Sequence, residues 1–385
     1  MKKGKSIFSE LVNRDRITDS FMDMARICSP SRQERAFAGF LRKEFEKLGI
    51  ELHEDASAVK VGGDTGNLTG KFINPSKIKS AVRSIFLLAH LDTVCVNGDI
   101  IPVVKNEKIT NENKNCILGG DDKVAIAAIL EAVKVITENS IRSRDIDLIF
   151  TVAEEIAVLG AKFLDVKAVK SRYGFVFDGE GDIGTIFNRA PYHNTFEIKI
   201  KGRAAHAGAE PEKGISSIKA AANAISRLNP GRVDHDTTYN IGTINGGAAI
   251  NIVPEYTNIK AEARSLVEEK LEKLSSEIRE VFTGSVKEYG AKISIKTERE
   301  YDGFYVSDDE VPMSLALRAL GNMGIKPAVV STGGGSDINI LNSRGKRALN
   351  LSSGMENIHT CREYVKTGQL ANLAVLIIEL LTAEI

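Results

Sequence analysis

The sequence has no excess of either charge. Lys and Arg together number 51 and Asp and Glu 51, so the whole chain sets up no field that would gather nucleic acid or an anionic membrane. It lacks any uninterrupted apolar run long enough to cross a bilayer. The basic opening Met1-Lys2-Lys3-Gly4-Lys5 is not followed by the apolar core of a secretory signal, and the expected location is cytoplasmic. Cysteine is scarce and unpaired in pattern. Cys28, Cys95, Cys116 and Cys361 lie far apart with no CxxC, which speaks against a disulfide framework and for free thiols in a reducing compartment. Cys95 and Cys361 are expected to be packing residues. No internal repeat or low-complexity segment is present. What remains is an ordinary globular composition, 43% hydrophobic and 26% charged over 385 residues, enough chain for two domains or three.

The informative stretch runs from Leu87 to Val94. The apolar run Ile85 to Ala89 has the length and type of a buried strand, and it ends abruptly in His90 and Asp92. An imidazole at a strand tip supplies a nitrogen ligand, and a carboxylate two residues on can hydrogen-bond its other ring nitrogen and fix the tautomer. Taken alone, the pair reads equally well as a surface strand end. Upstream, Ser31 and Glu34 have the spacing of a capping box, and Phe37, Phe40, Leu41, Phe45 and Leu48 continue at helical spacing to Gly49. Turn signals at Gly62-Gly63 and Asn74-Pro75 bound an extended stretch. Downstream, Leu118-Gly119-Gly120-Asp121-Asp122-Lys123 precedes a helix marked by Val124, Ile126, Ala127, Ile129, Leu130 and Val133. Two aspartates there could serve only as helix caps.

Further apolar strands lead into the same residue types. Asp147 to Ala153 ends in Glu154-Glu155, two carboxylates that repel and are costly to desolvate unless something positive sits between them. Tyr173 to Phe177 ends in Asp178, and Arg347 to Leu351 leads through Ser352-Ser353-Gly354 to His359. Strands alternating with helices argue for an α/β fold with a central, mostly parallel sheet, in which ligands bind beyond the carboxyl ends of the strands. His90, Asp92, Glu154, Glu155, Asp178 and His359 all fall at such ends, and Asp121 opens a helix that could face the same edge. Two histidines among several carboxylates are what a pair of divalent cations needs.

The middle of the chain has another texture. Strands at 194–202, 238–244, 256–265 and 291–299, with helices at 215–228 and about 267–289, give the order β-α-β-β-α-β, the ferredoxin-like pattern. This α+β domain, residues 189–300, interrupts the α/β domain made of residues 1–188 and 301–385.

Together, His90-Leu91-Asp92, Gly119-Gly120-Asp121-Asp122-Lys123, Ala153-Glu154-Glu155, Asp178 and His359 stand in the order found in the di-zinc exopeptidases of the peptidase T and aminoacylase clan. Ala204-Ala205-His206-Ala207-Gly208, Ile250 to Pro254 and Glu262 to Ser265 resemble the small-domain motifs of the same clan, so the likeness covers nearly the whole chain. The peptidase T-like branch, tripeptide aminopeptidases that release the N-terminal residue, is the most similar. The resemblance implies two divalent cations, zinc first, with cobalt or manganese as alternatives. It implies that His90 and Asp178 hold one, Glu155 and His359 the other, and that Asp121 bridges them. Asp92 would orient His90 and Glu154 would be the general base. His206 would contact the substrate carbonyl, Asn251 and Arg264 its backbone and carboxylate, and the loop with Gly334 and Gly335 would line the pocket. A small peptide is the implied substrate, and a homodimer through the inserted domain the implied assembly.

Three other readings stand beside this one. An aminoacylase or dipeptidase acting on N-acyl amino acids or dipeptides would use the same metals. A peptide-binding module that has lost catalysis would have no need of Glu154. A phosphate cradle at Thr332 to Gly335 lacks the Lys-Ser/Thr continuation of a P-loop.

Overall fold

The computed structural model describes residues 6–94 and 98–384, which form two compact units. The first comprises residues up to Asn188, Tyr305–Ser331 and Ser336 onward; the second comprises Arg189–Phe304 and Thr332–Gly335. Cys95 lies outside the described residues.

The first unit is built on a sheet whose centre is parallel. Strands Asp145–Thr151, Ser84–His90, Tyr173–Glu180 and Arg347–Glu356 lie side by side in that order, all pointing the same way. Antiparallel strands flank them: Leu68–Phe72 and Leu52–Glu54 on one side, Tyr364–Lys366, Lys108–Asn111 and Pro102–Lys105 on the other. The central strands are near-continuous runs of Ile, Leu, Val and Phe because both faces of a parallel sheet are covered. Helix Lys123–Glu138 is apolar on almost every side, and it packs against the His90 strand, helix Arg14–Arg26 and the C-terminal helix Thr367–Thr382. No helix of the described residues is long and apolar enough to cross a membrane.

Two local expectations fail. The strand read as Asp147 to Ala153 lies at Asp145–Thr151. Val152 and Ala153 leave the ladder because side chains claim their amides: Val152 N–H donates to Asn67 Oδ1 (3.1 Å) and Ala153 N–H to Glu34 Oε1 (2.9 Å), with Ala153 at φ +52°. Ser31 and Glu34 do not form a capping box. Helix Arg35–Glu46 has no side-chain cap; Ser31 Oγ–H donates instead to Asp92 Oδ2 (2.6 Å), and Glu34, fully buried, turns inward to Ala153. The hydrogen-bonding capacity is the same, but a buried carboxylate and a strand end that needs an acceptor outcompete an exposed helix start.

The second unit is a five-stranded antiparallel sheet in the order Gly231–Arg232, Thr237–Gly246, Tyr256–Ser265, Tyr192–Lys201, Lys292–Tyr301. Apart from the short first strand this is the ferredoxin-like arrangement. Phe196, Ile198 and Ile200 alternate onto the face covered by helices Ser217–Ser226 and Glu268–Glu288, where they meet Ala220, Leu271, Ile278 and Phe282. The last strand runs to Tyr301, whose ring packs on His193 with centroids 5.1 Å apart, so this unit extends to Phe304 rather than 300.

Candidate metal centre

His90 closes its strand with the imidazole buried. Its Nδ1 lies 2.9 Å from the backbone oxygen of Asp92, and a carbonyl can only accept, so Nδ1 carries a hydrogen and the ring turns Nε2 toward Asp121. Asp92 therefore orients His90 through its main chain, with the nearer carboxylate oxygen at 3.5 Å. Its carboxylate, fully buried, accepts instead from Ser31 Oγ (2.6 Å), Glu154 N (2.9 Å) and Glu155 N (3.2 Å). One aspartate thus ties the His90 strand to the paired glutamates of the next strand.

Asp121 stands between two histidines. Its Oδ1 is 3.2 Å from His90 Nε2, and its Oδ2 is 3.1 Å from His359 Nε2. On the first side Asp178 Oδ1 lies 3.9 Å from His90 Nε2; on the second, Glu155 Oε1 lies 3.0 Å from His359 Nε2. His90, Asp121 and Glu155 offer ligand atoms all within 4.8 Å of one another. The expected residues His90, Asp121, Glu155, Asp178 and His359 are therefore adjacent, in two groups that share one carboxylate.

Electrostatics at this place is unbalanced without a cation. Burial, then the charge of Asp121, pushes the Asp178 carboxyl well up; burial, then Asp178, does the same to Glu154. Asp337, whose carboxylate takes a hydrogen bond from Thr151, is pushed up to about 7 by burial. For Asp121 burial acts upward too, but hydrogen bonds with His359 and His90 hold it well below the usual range, and His359 is raised to about 10 by Asp121 and Glu155. Histidine nitrogens and carboxylate oxygens crowded into little volume, with carboxyls forced toward neutrality, fit divalent cations.

Several participants carry no legible motif in the sequence. Ser31 and Glu34 looked like a helix start. Glu363, 3% exposed, accepts the amides of Leu118 (2.8 Å), Gly119 (2.8 Å), Gly120 (2.7 Å) and Asp121 (3.2 Å). The only sequence signal for it was the Gly119-Gly120 pair, whose amides need an anion. Asp122 makes no cap hydrogen bond to its helix, so capping does not explain the aspartate pair. Cys361 is exposed and is not a packing residue.

The remaining expected residues belong to the second unit. His206 is exposed, and its Nδ1 accepts from Gly208 N (3.2 Å) and Ala209 N (3.0 Å), leaving the hydrogen on Nε2. Asn251 is exposed, its carbonyl bound by Ala207 N (2.9 Å). Arg264 pairs with Glu262 (3.0 Å) and donates to Gly333 O (3.3 Å). Gly334 N–H donates to Thr332 Oγ1 (3.1 Å), and a Cβ on Gly335 would fall 2.2 Å from the Tyr301 ring, so only glycine fits.

Comparison with known proteins identifies relatives over nearly the whole chain. Residues 192–290 match the family profile of the peptidase dimerisation domain, and residues 73–210 that of peptidase family M28. The uncharacterized protein YqjE of Bacillus subtilis (strain 168) is 35% identical over 371 residues, 96% of this chain and 99% of that one. The crystal structure of aminopeptidase PepT from Bacillus cereus ATCC 10987 superposes with a TM-score of 0.88 at 36% identity, covering 96% of this chain and 98% of that one. A tripeptidase from Staphylococcus aureus superposes with a TM-score of 0.90 at 33% identity, with the same coverage.

Proposed function

The chain belongs to the peptidase T-like branch of the M20 peptidases, and from that membership we propose that it is a di-zinc tripeptide aminopeptidase. The coarser statement holds outright: it is a metal-dependent exopeptidase acting on small peptides. The observation that supports a two-cation site is the division of the Asp121 carboxylate, one oxygen toward His90 and the other toward His359; the tripeptide aminopeptidase part rests on the peptidase T relatives.

In this reading His90 and Asp178 would hold one zinc ion and Glu155 and His359 the other, with Asp121 as the shared carboxylate. Bound divalent cations supply positive charge that polarises a scissile carbonyl and acidifies water. The protein's own groups do the rest. Asp92 holds the main chain of Glu154 and Glu155 in place. Glu154, half-buried with its main chain held by Asp92, would take a proton on its carboxylate from the attacking water and return it to the leaving amine. The carboxylates favour a substrate with a free ammonium, which fits release of the N-terminal residue. For His206, Asn251 and Arg264 the substrate roles rest on the resemblance; alanine substitution of each should raise KM or lower kcat while leaving metal content unchanged.

Elemental analysis of the purified protein should give two zinc ions per chain. Prolonged chelation should abolish hydrolysis, and zinc, cobalt or manganese should restore it; full activity in metal-free protein would refute the reading. A free tripeptide should be cut faster than its N-acetylated form, with the first residue released. Faster cleavage of the acetylated peptide would instead assign an aminoacylase.

A further inference from the structure

We propose that Glu363 is a positioning residue of this enzyme, whose carboxylate clamps the Asp121 segment to the His359 loop. The proposal rests on the reading of Asp121 and His359 as metal ligands. Residues Leu118 to Asp121 belong to no strand or helix, and their four successive amides converge on one carboxylate. Each Glu363 oxygen accepts two of them: Oε2 those of Leu118 and Gly119, Oε1 those of Gly120 and Asp121. Such a concave run of amides is an anion nest.

The glycines are what permit it. Gly119 has φ +70°, a conformation that other residues rarely adopt, and a Cβ on Gly120 would sit 2.8 Å from Glu363 Oε1. The carboxylate itself stands on firm ground. Glu363 N–H donates to Thr360 O (3.1 Å), closing the turn that follows His359. The next residues, Tyr364–Lys366, are a strand paired on both sides, with Arg347–Glu356 and with Lys108–Asn111.

A glutamine could not replace this group. Its amide offers one oxygen, and its NH2 would face two N–H donors, so two of the four bonds would be lost and two donors set against each other. The consequence reaches both sides of the metal site. The backbone of Asp121 is one of the clamped groups, and its carboxylate faces His90 and His359 at once. When the backbone that carries a shared ligand loosens, both histidines lose their fixed partner. Groups that orient a ligand in this way contribute roughly 10- to 100-fold to metal affinity.

The test uses the full-length chain, stripped by chelation and titrated with Zn²⁺ against a chromophoric chelator, with hydrogen–deuterium exchange measured on the same metal-free samples. Glu363→Gln should weaken Zn²⁺ binding by about 10- to 100-fold and speed exchange at the amides of 118–121. Gly120→Ala keeps the carboxylate but crowds it, and should move both readouts the same way; it carries the test if Glu363→Gln does not fold. Ile377→Val, a trimmed core residue of the C-terminal helix, should lower Tm and move neither readout. Parental affinity in Glu363→Gln, or unchanged exchange at 118–121, overturns the proposal. An Asp121→Ala variant with undiminished Zn²⁺ affinity would sink the ligand reading, and the proposal with it, even if exchange at 118–121 still answered to Glu363→Gln.

Discussion

Asp92 and the two glutamates it holds show how much one residue decides at this site. Its backbone carbonyl sets the His90 tautomer, while its carboxylate receives the amides of both Glu154 and Glu155. The neighbours then part company: Glu155 Oε1 meets His359 at 3.0 Å, whereas half-buried Glu154 makes no hydrogen bond to either metal-facing histidine among the described residues. Glu154→Gln should therefore keep its metal and lose turnover by at least ~100-fold, the scale of general-base loss. Glu155→Gln should weaken metal binding first. Metal content and single-turnover rates of the two variants separate these outcomes; equal metal loss in both would reverse the roles.

Elements end in this fold where buried side chains claim the backbone. The Asp145–Thr151 strand stops where Asn67 and Glu34 take the next two amides, and burial pushes the Glu34 carboxyl up to about 7. The C-terminal helix Thr367–Thr382 ends against Arg144, one of the largest fully buried side chains among the described residues. Its guanidinium donates to Leu380 O (2.7 Å), Val82 O (3.0 Å) and Ala383 O. A cation at a helix C-terminus also meets the negative end of the helix dipole. Arg144→Met would leave those carbonyls without a donor and should cost on the order of 3 kcal/mol in denaturant unfolding. Its zinc stoichiometry should stay at the parental value, since Arg144 touches none of the metal-facing residues.

At the scale of the whole molecule, the second unit exposes several large apolar side chains. Ile218, Ile244, Ile250, Ile252 and Tyr256 are all exposed there, Ile250 completely, in a segment that matches the peptidase dimerisation profile. We propose that this unit joins two chains. Sedimentation should give about twice the mass of one chain, and Ile250→Glu combined with Tyr256→Glu should shift it to the monomer. A monomer mass for the parent, independent of concentration, would count against the assembly.

Periodicity and residue type were enough to find the His90 strand, the helix after Asp122 and the six-element order of the second unit. These features are local: burial on one face or both leaves its mark within ten or twenty residues. Whether a polar residue serves its own helix or a distant strand is another matter. Ser31 and Glu34 have the spacing of a cap and instead hold Asp92 and Ala153. Glu363 meets the amide of Asp121 across 242 residues of sequence. The division of the Asp121 carboxylate between two histidines likewise exists only once the central strands stack in register. Tertiary packing decided these pairings, because a buried hydrogen-bonding group takes the partner that the fold brings within reach, and sequence spacing does not encode that partner.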